Sequence, residues 1–235
     1  MDISENLLGY WPVNKGSGVV AYDKSIHGND GALEGDNPTW VPGKSGKCIN
    51  FPGTDERIDC GNPSPLDQIG NGSFWLSFWM KSKDATPNAA CRLWSKQQDA
   101  NNRLELMEQG GKLLIYLRKA GAITQQLFDA TPFDAAWQHN ILVIKRTVQK
   151  ALLYFNSVKD VQEGDLSSMA ADVSNTGNMS WGAQQAGGAP YEGLLDEMRI
   201  YSGLPTLEKI GFLHTYPSGI AIPTRIHHLR QQKVA

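Results

Sequence analysis

The segment Tyr191-Glu192-Gly193-Leu194-Leu195-Asp196-Glu197-Met198-Arg199-Ile200-Tyr201 sets an acid inside an apolar frame. Alternation along an extended chain puts Leu194, Asp196, Met198 and Ile200 on one side and Leu195, Glu197, Arg199 and Tyr201 on the other, so Asp196 is expected to face a core. An ionised carboxylate there is costly unless a cation, an arginine or converging backbone amides meet it. Glycoside hydrolysis would need two carboxylates on a common face. Asp196 and Glu197 are expected on opposite faces, as are Glu105 and Glu108, so neither pair makes an acid and nucleophile. No Ser/His/Asp order, phosphate loop or zinc spacing rises above chance. A second oxygen-rich stretch, Tyr22-Asp23-Lys24-Ser25-Ile26-His27-Gly28-Asn29-Asp30-Gly31, has the donor types calcium takes, but the same composition also makes ordinary turns. His27 reads as a surface loop residue, because calcium prefers hard oxygen.

The elements that must position these groups are strands. Runs of β-forming residues recur between Gly, Pro, Asn and Asp clusters: Leu7 to Val13, Lys47 to Phe51, Arg57 to Cys60, Ser73 to Lys83, Arg92 to Lys96, Arg103 to Glu108, Lys112 to Lys119, Gln125 to Asp129, Gln138 to Arg146, Ala151 to Phe155, Met179 to Gly182 and Gly193 to Tyr201. Gln109-Gly110-Gly111 reads as a hairpin turn. Leu104, Leu106, Leu113, Ile115 and Leu117 alternate with Arg103, Glu105, Lys112, Tyr116 and Arg118, as in a sheet with one wet face. Phe74 to Met80 and Ile141 to Ile144 are apolar on both sides and belong to central strands. Two antiparallel sheets packed face to face satisfy both patterns. One short helix is expected from Thr206 to His214, opened by Pro205 and Thr206, with Leu207, Ile210, Phe212 and Leu213 docking it.

A chain of 235 residues suits one all-β domain, which can bury roughly 70–75% of its unfolded surface without disulfides or metals. A net charge of -2 gives no footprint for nucleic acid, and no apolar run is long enough for a membrane span. Cys48, Cys60 and Cys91 are odd in number and lack Cys-x-x-Cys spacing, although a bridge between Cys48 and Cys60 is conceivable. The acidic start Met1-Asp2-Ile3-Ser4-Glu5-Asn6 has no secretory signal pattern.

Several fragments occur together in a known order: Gly9-Tyr10-Trp11-Pro12, Asp23-Lys24-Ser25 with Gly28-Asn29-Asp30-Gly31, and Trp40-Val41-Pro42-Gly43-Lys44-Ser45-Gly46-Lys47-Cys48-Ile49-Asn50-Phe51-Pro52-Gly53. Phe74-Trp75-Leu76-Ser77-Phe78-Trp79-Met80-Lys81, Trp137-Gln138-His139-Asn140-Ile141, Leu153-Tyr154-Phe155-Asn156 and Leu207-Glu208-Lys209-Ile210 continue it. Over residues 7 to 215 the chain resembles the LamG-like members of the concanavalin A-like lectin/glucanase superfamily. That resemblance implies an all-β jelly-roll sandwich of two curved antiparallel sheets with one short C-terminal helix, filling residues 1–216. It also implies a structural Ca2+ held by carboxylates of Asp23 and Asp196 and by oxygens around Asn29 and Gly31. The alternative is that Asp196 pairs with Arg57, Arg199 or loop amides. The Glu-x-Asp-x-x-Glu pattern of the family's glucanases is missing: neither Glu163-Gly164-Asp165 nor Glu34-Gly35-Asp36 continues it. A divergent glycan hydrolase is therefore the weakest reading.

The expected function is a non-catalytic binding module for carbohydrate or a protein surface. Trp11, Trp40, Trp75, Trp79, Trp137 and Trp181 read as scaffold. That leaves Trp94 and Tyr191, with Asn101 and Arg103 of a polar loop, as the candidate ligand site. The alternative is a virion or phage decoration protein displaying a lectin-like domain, on the outward-facing surface of a particle or larger assembly rather than in the cytoplasm. Residues 217–235 would then form a basic assembly arm, carrying Arg225, His227, His228, Arg230 and Lys233 without an acid, or else a frayed terminus.

Overall fold

A computed structural model describes residues 2–36, 38–83, 90–169 and 172–219. In chain order the strands are β1 (Leu7–Trp11), β2 (Val20–Ala21), β3 (Gly31–Glu34), β4 (Thr39–Pro42), β5 (Lys47–Pro52), β6 (Arg57–Asp59), β7 (Phe74–Ser82) and β8 (Arg92–Asp99). They continue with β9 (Asn102–Gln109), β10 (Lys112–Lys119), β11 (Ala122–Leu127), β12 (Gln138–Lys145), β13 (Lys150–Phe155), β14 (Val158–Asp165), β15 (Asn178–Trp181) and β16 (Glu192–Ser202), followed by helix α1 (Leu207–Thr215).

The strands form two eight-stranded antiparallel sheets, the expected sandwich. The first runs β14-β13-β12-β7-β16-β5-β4 with β1 also paired to β16, and the second runs β11-β10-β9-β8-β15-β6-β3-β2. Between them lies one apolar core that includes Trp11, Phe51, Leu76, Phe78, Trp94, Leu104, Ile115, Trp181, Met198 and Ile200. Cys48 on β5 and Cys60 beyond β6 belong to different sheets, and all three cysteines are free and buried, so no bridge joins them. Burial pushes the Cys48 and Cys91 thiols up to about 12.

A second apolar cluster explains why β7 and β12 are apolar on both faces. Trp75, Ile141, Val143 and Tyr201 point away from the main core and are covered by Ile210 and Leu213 of α1. Trp75 and Tyr201 stack with ring centroids 3.8 Å apart. Thr206 caps the helix by accepting from the Lys209 amide at 3.1 Å, as the sequence implied. Leu207, expected to dock, is exposed instead.

The strand β16 departs from simple alternation. Its register with β7 slips between Asp196 and Arg199, and Glu197 takes a left-handed φ of 54°. This β-bulge adds one residue, so Leu195, Met198 and Ile200 enter the main core while Asp196, Arg199 and Tyr201 lie on the outward face. Asp196 therefore does not share a side with Met198 and Ile200. Nor does Glu197 oppose it: both carboxylates sit on the outward side.

Candidate functional site

Two sets of chemistry-bearing side chains stand out, one on the outward face of each sheet. On the first sheet Asp196 and Glu197 are fully buried beside Tyr10, Ser45, Trp79 and Arg199. Asp196 accepts the Ser45 amide at 2.9 Å through Oδ2, while its Oδ1 has no partner among the described residues. Glu197 accepts the Tyr10 hydroxyl at 2.5 Å and Arg199 at 2.8 Å. Arg199 also lies over the Tyr10 ring at 3.9 Å and donates to the Pro217 carbonyl at 2.8 Å. Arg57 pairs with Glu34 instead. Loop amide is thus what meets Asp196. Burial pushes the Asp196 carboxyl up to about 7, against the Ser45 hydrogen bond, and burial raises Glu197 as well. Alongside, Trp79, His139 and His214 form a cluster of mutually stacked rings with centroids 4.9 to 5.6 Å apart, and burial holds His139 well below its usual range.

The expected clasp between Asp23 and Asp196 is not assembled. Asp23 Oδ1 accepts the Tyr10 and Ser25 amides, and Oδ2 accepts the Ser25 hydroxyl and the Asn29 amide, all at 2.7 to 2.8 Å. Those four donors occupy the lone-pair positions a cation would need. The Asn29 carbonyl accepts the Trp11 indole at 3.0 Å, and Gly31 pairs with Ala21 in the β2–β3 ladder. Among the described residues no group of three or more His, Cys, Asp or Glu could hold a metal. The donor set as it stands does not fit calcium; it closes the loop on itself.

On the second sheet, β9 and β10 turn Arg103, Glu105, Met107, Leu114 and Tyr116 outward while Leu104, Leu106, Leu113, Ile115 and Leu117 fill the core. Glu105 faces Tyr116 across the ladder and Ser95 on β8. The loop between β15 and β16 folds over this face, held by Arg92 N to Ala189 O at 2.9 Å, and brings Gln184 Nε2 within 2.5 Å of Glu105. The result is a cleft of about 370 Å³ lined by Arg92, Arg103, Glu105, Met107, Tyr116 and Gln125, with Glu108 at its end. Glu105, fully buried, takes Arg92 at 3.3 Å and Arg103 at 3.7 Å as ion-pair partners. Arg103 stands 4.9 Å from the centre of the Tyr116 ring. The Nε donors of Arg92 and Arg103 have no acceptor among the described residues. Glu108 accepts the Ala90 and Gly111 amides at 3.0 and 2.7 Å.

Of the four residues expected to bind ligand, only Arg103 lies in this cleft. Trp94 and Tyr191 are fully buried in the core, Trp94 against Phe74 and Tyr191 against Phe51, and can touch no ligand. Asn101 is exposed at the β8–β9 turn, its amide bonded to Asp99 at 2.6 Å. Glu105, Tyr116 and Arg92 were missed, although the alternation that set Arg103, Glu105 and Tyr116 on a wet face already contained two of them.

Residues 53–211 match the family described as Concanavalin A-like lectin/glucanases superfamily, Laminin_G_3. The chain belongs to that superfamily. Its two-sheet sandwich is shared with solved structures of low sequence identity. One is domain 4 of AbnA, a GH43 extracellular arabinanase from Geobacillus stearothermophilus, in complex with arabinotriose, with TM-score 0.69, 19% identity, and coverage of 89% of this chain and 98% of that one. Another is the receptor binding domain of botulinum neurotoxin C/D mosaic serotype, with TM-score 0.72, 16% identity and coverage of 91% and 52%. A third is the botulinum neurotoxin serotype D ligand binding domain in complex with N-acetylneuraminic acid, with TM-score 0.69, 16% identity and coverage of 91% and 51%. The chain thus spans about half the length of these toxin chains. No curated protein sequence matches it significantly. Among the described residues of this concanavalin A-like domain, no helix is long and apolar enough to cross a membrane.

Proposed function

We propose that the protein is a non-catalytic carbohydrate-binding domain whose cleft on the second sheet takes a neutral saccharide. One observation carries this reading: the partly exposed guanidiniums of Arg92 and Arg103 flank the fully buried Glu105, with Arg103 4.9 Å from the centre of the Tyr116 ring, in a cleft of about 370 Å³. A sugar offers hydroxyl acceptors to the exposed edges of these guanidiniums and a C–H face to a ring, and a pocket of a few hundred Å³ suits one or two sugar units. Among the described residues the two arginines are matched by Glu105 and Glu108, so their charges balance and do not demand an ionic ligand. Both carboxylates are occupied as hydrogen-bond acceptors, which leaves neither free to act as acid or nucleophile. Concanavalin A-like relatives solved with arabinotriose and N-acetylneuraminic acid support the saccharide class.

Calorimetry with arabinotriose and a neutral glycan array tests the proposal. Tyr116→Ala and Arg103→Gln are each expected to weaken a bound neutral glycan by about tenfold or more, roughly the loss of 1.4 kcal/mol, with no sugar released on long incubation. A blank neutral array, or full binding by both variants, would sink it.

A further inference from the structure

A second cleft lies at the edge of the sandwich, where the segment after β1, the residue after β2 and strand β4 converge. It encloses about 370 Å³ and is lined by Pro12, Val13, Asn14, Lys15, Tyr22, Lys24 and Trp40. Its walls are fixed: the Trp40 indole donates to the Gly18 carbonyl at 2.9 Å, and Asn14 Oδ1 accepts the Lys47 amide at 2.7 Å. The Tyr22 side of the wall is open to solvent, that residue being 37% exposed. Lys15 and Lys24 both stand over the Tyr22 ring, with Nζ 4.7 and 5.3 Å from its centre, and Lys15 also donates to the Tyr22 hydroxyl at 3.2 Å.

Among the described residues no carboxylate lines this cleft. Asp23, which lies between Tyr22 and Lys24 in the chain, is buried and saturated by three donors of its own loop and the Tyr10 amide of β1. Among the described residues neither ammonium forms an ion pair. An inorganic anion would gain nothing from Pro12, Val13 and Trp40, and a neutral apolar ligand would gain nothing from two ammoniums. A ring with a C–H face and one negative substituent uses both. We infer that this edge cleft binds the acidic unit of a saccharide, a sugar bearing a carboxylate or a sulfate. The inference rests on the saccharide reading of the domain, but it uses residues separate from the neutral cleft around Arg103 and Tyr116.

The test is calorimetry on the full chain with a galacturonic acid trisaccharide, its carboxyl-reduced counterpart, a sulfated disaccharide and an aspartate-rich peptide. The acidic trisaccharide is expected to bind, more weakly as salt rises, and to lose about tenfold or more in affinity in Lys15→Ala/Lys24→Ala and in Tyr22→Ala, while Tm stays unchanged. Tyr116→Ala is expected to leave it untouched. Binding by the sulfated disaccharide alone supports the site with sulfate as the anion. Equal binding of the carboxyl-reduced sugar, equal binding of the peptide, or full affinity in the lysine double variant would overturn the inference. If arabinotriose binds and neither acidic sugar does, this inference falls alone; if no saccharide binds, both readings fall.

Discussion

At Asp196 burial works against ionisation, and its consequence is a measurable pH dependence. The carboxyl stands at about 7 because it is buried, with the Ser45 amide and, more weakly, the Glu197 and Lys44 amides opposing that and the Glu197 charge adding to it. Since the folded state holds the proton more tightly than the unfolded one, this group favours folding at low pH, and its contribution falls as pH rises from about 4 to 7, by at most about 1.4 kcal/mol per pH unit. Glu197 is shifted in the same direction, whereas His139, held down by burial, favours folding at high pH and is penalised as pH drops below the usual histidine range. The wild-type profile therefore mixes signs, and a single variant separates them. Asp196→Asn keeps an acceptor for Ser45 and removes the ionisation, so its Tm relative to wild type is expected to be higher at pH 8 than at pH 5. Equal differences at both pH values in differential scanning calorimetry would contradict the assignment. The acid itself was legible in the sequence; its face was not. Alternation assumes two residues per repeat, and the bulge sits at a left-handed Glu197 where no glycine advertises it.

At the scale of elements, strong periodicity was legible and short or polar elements were not. All twelve apolar runs became strands, with β11 beginning three residues before its expected start. The two-residue β2, the four-residue β3 and β4, and the polar edge strand β14 were missed, because their pairing comes from neighbours and not from their own pattern. Gly164 shows how β14 fits: a Cβ there would come within 2.9 Å of Ala151 and Gln126. The loop after β2 is the instructive case. Its Asp and Asn residues read as turn formers from composition and as calcium ligands through the resemblance, and the structure gathers four donors from Tyr10, Ser25 and Asn29 on Asp23. Asp23→Ala is expected to cost about 2–4 kcal/mol, since it strands buried backbone amides as well as removing charged hydrogen bonds. Chemical denaturation with and without added calcium reads this out. The wild-type midpoint is expected to be insensitive to calcium and to chelator; a calcium-dependent rise that Asp23→Ala abolishes would return the loop to a metal role.

Across the whole molecule, the three layers separate stability from binding. Helix α1 covers the outward face of the first sheet, the main core fills the space between sheets, and the proposed neutral cleft opens on the outward face of the second. The first and last described segments also meet on β16: β1 pairs with it, and Tyr10 from β1 and the Pro217 carbonyl both contact the Glu197–Arg199 pair. A lesion under α1 should therefore unzip these segments before it reaches the proposed cleft on the second sheet. Leu213→Asp, which puts a charge against Trp75, Ile141 and Tyr201, is expected to cost about 3–5 kcal/mol and to lower Tm by well over ten degrees, on the order expected for a buried charge in a domain of this size. The fraction that remains folded is expected to bind a neutral glycan with wild-type affinity. Native-state hydrogen exchange should show the added opening confined to β1, α1 and the outward faces of β7 and β12. If instead affinity falls in step with stability while β9 and β10 stay protected, the cleft depends on the first sheet in a way the layered packing does not provide.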